Sequence, residues 1–265
     1  MYSFNYNRVK SVADAAAALG KSADAKLLAG GQSLVQAMKL RLSSPTDLID
    51  LNALGDLKTL KAEGNAVTVG AMVRHAEVAA SSAVKKAIPA LAALAGMIGD
   101  RQVRHMGTIG GLLANNDPAA DYPAAALGLG ATIVTNKRKI EADKFFKGLY
   151  ETALEPGEII TSVSFPVPKR AAYMKFKNPA SRFAMVGVFV ADFGGNVRVG
   201  VTGAGPSAFR QADMEKALTA KFAPESVASI KVKADGLNND LHASPEYRAH
   251  LVTVMARRAV EAALK

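Results

Sequence analysis

Apolar positions along the chain follow two regimes. Up to the prolines of "PVPKR", short strand-like runs alternate with helical stretches; beyond them the periodicity changes to longer strand-like runs before a final helical region. Ser11 to Leu19 reads as a helix with Ser11 as N-cap and Asp14 in its first turn. "AKLLAG" is a short strand, "SLVQAMKLRL" a helix stopped before Pro45 by Ser43 and Ser44, and "DLIDL" at 47–51 the next strand. Together they predict a small βαβ-type unit. "NAVTVGAMV" predicts a further strand, Glu77 to Ala95 an alanine-rich helical stretch interrupted at Pro89, Ala124 to Leu129 a helix, and the residues before Asn136 a strand. After a strand ending at "PVPKR", "AAYMKFK" and "FAMVGVFVADFGGNVRVGVTGAG" predict antiparallel strands, the last two joined at Gly194-Gly195-Asn196. Helices are expected over Ala208 to Ala220, Glu225 to Ser229 and Pro245 to Leu264. The result is an α+β chain in three parts, 1–57, 58–168 and 169–265, without internal repeats or low-complexity linkers.

Composition narrows the chemistry. Cysteine is absent, so the chain supplies no disulfide, thiolate metal site, cysteine nucleophile or iron–sulfur cluster of its own. The net charge of +10 is spread without a basic run, and aromatic residues make up only 6% with no Trp, which does not fit a nucleic-acid interface. Diffuse positive charge suits an anionic cofactor or acidic partners. No uncharged apolar stretch is long enough for a membrane span, and "MYSFNYNRVK" lacks a signal core, so a cytoplasmic protein is expected. His105, His242 and His250 show no metal-ligand spacing.

Two glycine pairs remain, Gly30-Gly31 in "AGGQS" and Gly110-Gly111 in "GTIGG", eighty residues apart in different βα settings. Glycine permits positive φ and close approach of a ligand to the main chain, and free N–H groups before a helix form an anion-binding nest, to which Ser33 adds a hydroxyl. Together the pairs could hold a pyrophosphate from both sides. Neither has the Gly-Lys-Ser/Thr ending of a Walker loop. "GAGPSA" at 203–208 fits a dinucleotide fingerprint formally, but Pro206 and the antiparallel setting of the preceding strand argue against it.

The succession of "LLAGGQSLVQAMKLRLSSPTDLIDLNAL", "VGAMVRHAEV" and "MGTIGGLLANNDPAADYPAAALGLGA" resembles the FAD-binding medium subunit of the molybdenum hydroxylases, the xanthine dehydrogenase and carbon monoxide dehydrogenase family. The likeness continues through "FFKGLYETALEPGEIITSVSFPVP" and "YMKFKNPASRFAMVGVFV" to the C-terminal helix. It implies a two-lobed PCMH-type, vanillyl-alcohol oxidase-like FAD-binding domain followed by a C-terminal domain with a short antiparallel sheet and helices. It also implies site residues: Ala29, Gly30, Gly31, Gln32 and Ser33 as a first pyrophosphate loop, Thr108, Ile109, Gly110, Gly111 and Leu112 as a second, Asp121 on the cofactor's sugar portion, and Lys175 near the flavin ring. Leu112 stands where many relatives have Asn, and Phe183 where one type of relative has Tyr.

The resemblance further implies an electron-transfer role with no substrate-oxidising residue on this chain. The molybdenum cofactor is expected on a large partner subunit and [2Fe-2S] clusters on a small one, in a dimer of heterotrimers that delivers electrons to an external acceptor. Read from the residues alone, Asp121 could instead be a helix N-cap, Lys175 and Lys177 the solvated face of a strand, and His75 a cap or turn residue. A free-standing flavin oxidase of the vanillyl-alcohol oxidase type and a cofactor-less assembly module are the other functional readings.

Overall fold

A computed structural model describes residues 1–265. Three principal sheets are present. The first is parallel and three-stranded, with Asp47–Asp50 in the middle, Asn5–Arg8 on one side and Lys26–Leu28 on the other. The second is antiparallel, in the order Leu60–Glu63, Ala66–Gly70, Ile160–Pro166, Thr132–Thr135, Lys139–Glu141. The third, also antiparallel, runs Arg170–Lys177, Ala184–Asp192, Val197–Thr202, Phe209–Arg210.

Each sheet carries a hydrophobic core of its own, centred on residues such as Ile49 and Leu54 in the first, Leu91, Ile133 and Phe165 in the second, and Val188, Val199 and Val252 in the third. The strand Ala184–Asp192 is apolar almost throughout because it is covered on both faces. One cover is the helix Pro245–Ala263, started by Ser244, which accepts from the Tyr247 N–H, with Pro245 in the first turn. The other is the helix Tyr122–Leu129, every residue of which is buried, as expected of a helix that is apolar all round.

Several expectations are corrected in detail. The strand Asn5–Arg8 has no counterpart among the expected elements, because all four of its residues are exposed and it shows no alternation. The helix from Ser33 ends at Lys39 rather than Leu42: Arg41 takes φ 62°, and the Leu42 and Arg41 N–H groups bond back to the Ala37 and Met38 carbonyls in a Schellman closure. The stretch Glu77–Ala95 is three helices, His75–Ala80, Ser82–Ala87 and Pro89–Gly96. Its two breaks fall at Ser81, whose hydroxyl caps the second helix, and at Ile88, which precedes the proline. The helix expected from Ala208 begins at Ala212, since Phe209–Arg210 instead forms the edge strand of the third sheet. "GAGPSA" therefore leads into a strand, and the Gly203 N–H is taken by the Pro118 carbonyl.

Candidate functional site

A cavity of about 780 Å³ opens between the first sheet, the second sheet and the Ser181–Phe183 connection of the third, within the range of about 300–1,000 Å³ usual for small-molecule and cofactor sites. All the residues expected at the site line it except Ile109 and Lys175.

The first glycine loop follows directly from the end of the strand Lys26–Leu28. Gly31 has φ +71°, and Gly30 lies so close to the Met106–Gly107 main chain that a Cβ would meet the Met106 carbonyl oxygen at 2.2 Å. The missing side chain thus makes room for a neighbouring loop. The N–H groups of Gly30, Gly31, Gln32 and Ser33 bond to no acceptor within the chain, and the Ser33 hydroxyl caps nothing. Four main-chain donors and a hydroxyl on the cavity wall are a donor set suited to phosphate oxygens.

The second loop is built differently. Thr108 caps its own helix, Ile109–Asn115, by accepting from the Gly111 N–H at 3.2 Å. The Ile109 and Gly110 N–H groups donate to the Val73 and Ala71 carbonyls at 3.2 and 2.9 Å, and Ile109 points into the core. Gly110 is pressed onto Ala71, where a Cβ would sit 2.6 Å from the alanine methyl. The two loops are therefore unequal as donors: the first offers free amides, while the second forms a wall whose amides from Ile109 to Leu112 already have partners.

Asp121 and Lys175 meet each other. The Lys175 Nζ lies 2.9 Å from Asp121 Oδ1, the two side chains are only 4% and 2% exposed for the aspartate and the lysine, and the ammonium also donates to the Met97 carbonyl. The Tyr173 hydroxyl donates to the same carboxylate at 2.6 Å. Burial pushes the Asp121 carboxyl above its usual range, against the opposing pull of Lys175 and Tyr173. Although Asp121 stands at the start of the helix Tyr122–Leu129, its side chain makes no capping bond. Lys175 is not part of a solvated strand face; Lys177 alone is exposed, after a register shift between Phe176 and Lys177. Tyr173 is a partner of Asp121 that sequence reading misses, though its position two residues before Lys175 places it on the same strand face.

His75 starts the helix His75–Ala80 and lines the cavity, 3% exposed, with its ring 5.4 Å from that of Tyr122. Its Nδ1 is buried without a partner, and burial, reinforced by the nearby charge of Arg104, lowers its pKa to about 4. The imidazole is neutral at pH 7. Between pH 6.5 and 4 the unfolded chain binds this proton and the folded one does not, so stability contributed by the neutral ring is present above pH 6.5 and lost as pH falls toward 4. Loss over that window is expected to reach at most about 3 kcal/mol. In His75→Phe, urea unfolding at pH 7 and pH 4.5 should show a distinctly smaller acid loss than the parent; an equal loss in both would assign it to other groups.

The rim of the cavity includes Arg182, at φ 62°, half-exposed Phe183, and Tyr150, at φ 55°. No three His, Asp or Glu side chains are grouped to hold a metal ion, and no helix is long and apolar enough to cross a membrane.

Comparison with known proteins assigns the chain. Residues 2–168 match the family described as FAD binding domain in molybdopterin dehydrogenase. The carbon monoxide dehydrogenase medium chain of Hydrogenophaga pseudoflava is 35% identical, covering 98% of this chain and 96% of that one. The glyceraldehyde dehydrogenase medium chain of Sulfolobus acidocaldarius is 33% identical over 97% and 96%. Among solved structures, reconstituted CO dehydrogenase from Oligotropha carboxidovorans contains a chain that superposes with a TM-score of 0.92 at 35% identity, covering 99% of this chain and 98% of that one. The free amides of the first glycine loop, on a cavity of cofactor size, agree with the FAD-binding domain so matched, and the chain belongs to the FAD-binding medium subunits of the molybdenum hydroxylase family.

Proposed function

We propose that this chain is the FAD-carrying electron-transfer subunit of a molybdenum hydroxylase complex, receiving electrons from [2Fe-2S] clusters on a small partner subunit and passing them to an external acceptor. The observation that carries the reading is the row of unbonded N–H groups from Gly30 to Ser33 on the cavity wall. They would hold the pyrophosphate of FAD together with the Ser33 hydroxyl, with Thr108 and Gly111 lining the same cavity. Asp121 also lines the cavity, and the buried group it forms with Lys175 and Tyr173 would fix a charge near the flavin. Bound FAD would supply the capacity to accept and release electrons that no side chain of this chain has.

Substrate choice belongs to a large, molybdenum-bearing partner in this reading. The names of the relatives, which range from carbon monoxide to glyceraldehyde dehydrogenase at similar identity, support a medium subunit that does not select the substrate. Assembly as a dimer of heterotrimers and the three-part division at about 57 and 168 belong to the same proposal, the latter supported by one principal sheet in each part.

The test is isolation of the tagged protein from its own host under native conditions. Flavin bands riding on the broad absorbance of iron–sulfur centres, both bleached by dithionite, are expected. Flavin without iron–sulfur absorbance, in a preparation where the chain runs alone at every salt concentration, would favour a free-standing flavoenzyme; absence of flavin would defeat the proposal.

A further inference from the structure

The first glycine loop leaves the sheet at a defined point. The Leu51 N–H donates to the Leu28 carbonyl at 3.0 Å, the last main-chain rung between these two strands. The next carbonyl, that of Ala29, accepts instead from the Asn52 side-chain amide at 3.1 Å. A side chain thus continues the ladder one residue beyond the strands. Because a trans peptide is planar, the Ala29 C=O and the Gly30 N–H point in opposite directions, and whatever holds one aims the other. The Gly30 N–H bonds to nothing in the chain, and Gly30 lines the cavity.

Asn52 is itself held. Its Nδ2 donates to Asp50 Oδ1 at 2.7 Å, and its main-chain N–H donates to the same oxygen at 2.8 Å. One amide proton goes to Asp50 and the other to Ala29; a flipped amide would set oxygen against two acceptors, so only one orientation serves. Asp50 is 6% exposed, and its second oxygen accepts from the Tyr6 hydroxyl. Burial alone would raise the Asp50 carboxyl, but the bonds from Tyr6 and Asn52 outweigh it and keep the carboxylate charged. Tyr6 lies on the exposed edge strand of the first sheet, so the relay runs from the surface to the cavity wall.

We propose that Asn52, fixed by Asp50 and Tyr6, is a positioning residue that aims the Gly30 amide at a phosphate oxygen of the bound dinucleotide. The inference rests on the FAD reading above. Its value is preorganisation: the donor is already turned into the cavity, so no ordering is required when the anionic group arrives.

The experiment uses the full chain stripped of flavin and titrated with FAD, followed by flavin fluorescence, with phosphorus NMR of the bound cofactor. In Asn52→Ala, affinity should fall roughly tenfold or more, the size of one charge-assisted hydrogen bond. One of the two phosphate resonances should move toward its position in free FAD, while the visible flavin spectrum stays that of the parent. Tyr6→Phe, at an exposed position, should lose several-fold in the same sense and serves if Asn52→Ala does not fold. Unchanged affinity and phosphate resonances in a folded variant would overturn the inference, as would a loss in which the flavin spectrum shifts too, since that is general loosening. Failure of the parent chain to bind FAD would instead overturn the functional reading along with it.

Discussion

Replacing Asp121 by Leu is expected to cost about 3–5 kcal/mol, because it strands the Lys175 ammonium in a position where its side chain is 2% exposed. The remaining Met97 carbonyl can satisfy one of its protons but cannot balance its charge. The opposite single change, Lys175→Met, should be milder. Asp121 already has its carboxyl raised by burial, and without the lysine it can take up a proton and keep the Tyr173 bond. In that variant the folded state binds the proton more tightly than the unfolded one, so stability should increase as pH falls. The double variant Asp121→Leu/Lys175→Met should recover much of the loss of Asp121→Leu, as neutral groups replace an ion pair. Urea unfolding at pH 7 and pH 5 distinguishes the three. Equal, pH-independent losses in both single variants would show that the pair is not held as ions.

Gly30→Ala is expected to destabilise the cofactor-free chain by about 3 kcal/mol, at the upper end of what overpacking does. The added methyl would face the Met106 carbonyl oxygen at 2.2 Å and the Gly107 Cα at 2.7 Å, both main chain, so the two loops must part. Gly55→Ala is the matching control, since no atom lies within 4 Å of a Cβ there. Thermal unfolding of the two apo variants is the measurement. Equal melting temperatures would mean that the loops do not meet as closely as described. A consequence for any cofactor experiment is that loss of FAD from a Gly30 variant reports on loop packing as much as on the loss of an anion site.

Elements are legible where local chemistry decides them. The Ser11 cap, the Gly194-Gly195 hairpin and the long C-terminal helix with its Ser244–Pro245 start all carry their signals within a few residues. The strand Asn5–Arg8 is not legible, because its place is set by pairing with Asp47–Asp50 and by the Tyr6–Asp50 bond across more than forty residues. The same division holds for the site. Both glycine loops stand out by composition, yet which amides remain free depends on where the Ala71 and Val73 carbonyls fall, and that is a tertiary fact. Family resemblance places Asp121 and Lys175 each near the cofactor; that they pair with one another emerges only once the chain folds and brings the residue before the Tyr122–Leu129 helix against the strand Arg170–Lys177. His75 and Asn52 have no local signal stronger than that of any polar residue beside a strand.

The helix Tyr122–Leu129 lies within the family match, which ends at residue 168, yet much of its packing lies beyond that point. Gly200 can have no side chain because the Ala124 carbonyl oxygen occupies the space, and Gly128 is pressed onto Phe189. Strands from the far side of the boundary are thus moulded around a helix from the near side. A chain cut at residue 168 would leave an entirely apolar helix facing water, without the sheet shaped to receive it. The family match has one border here and mechanical integrity has another, and only the second governs how this molecule can be divided.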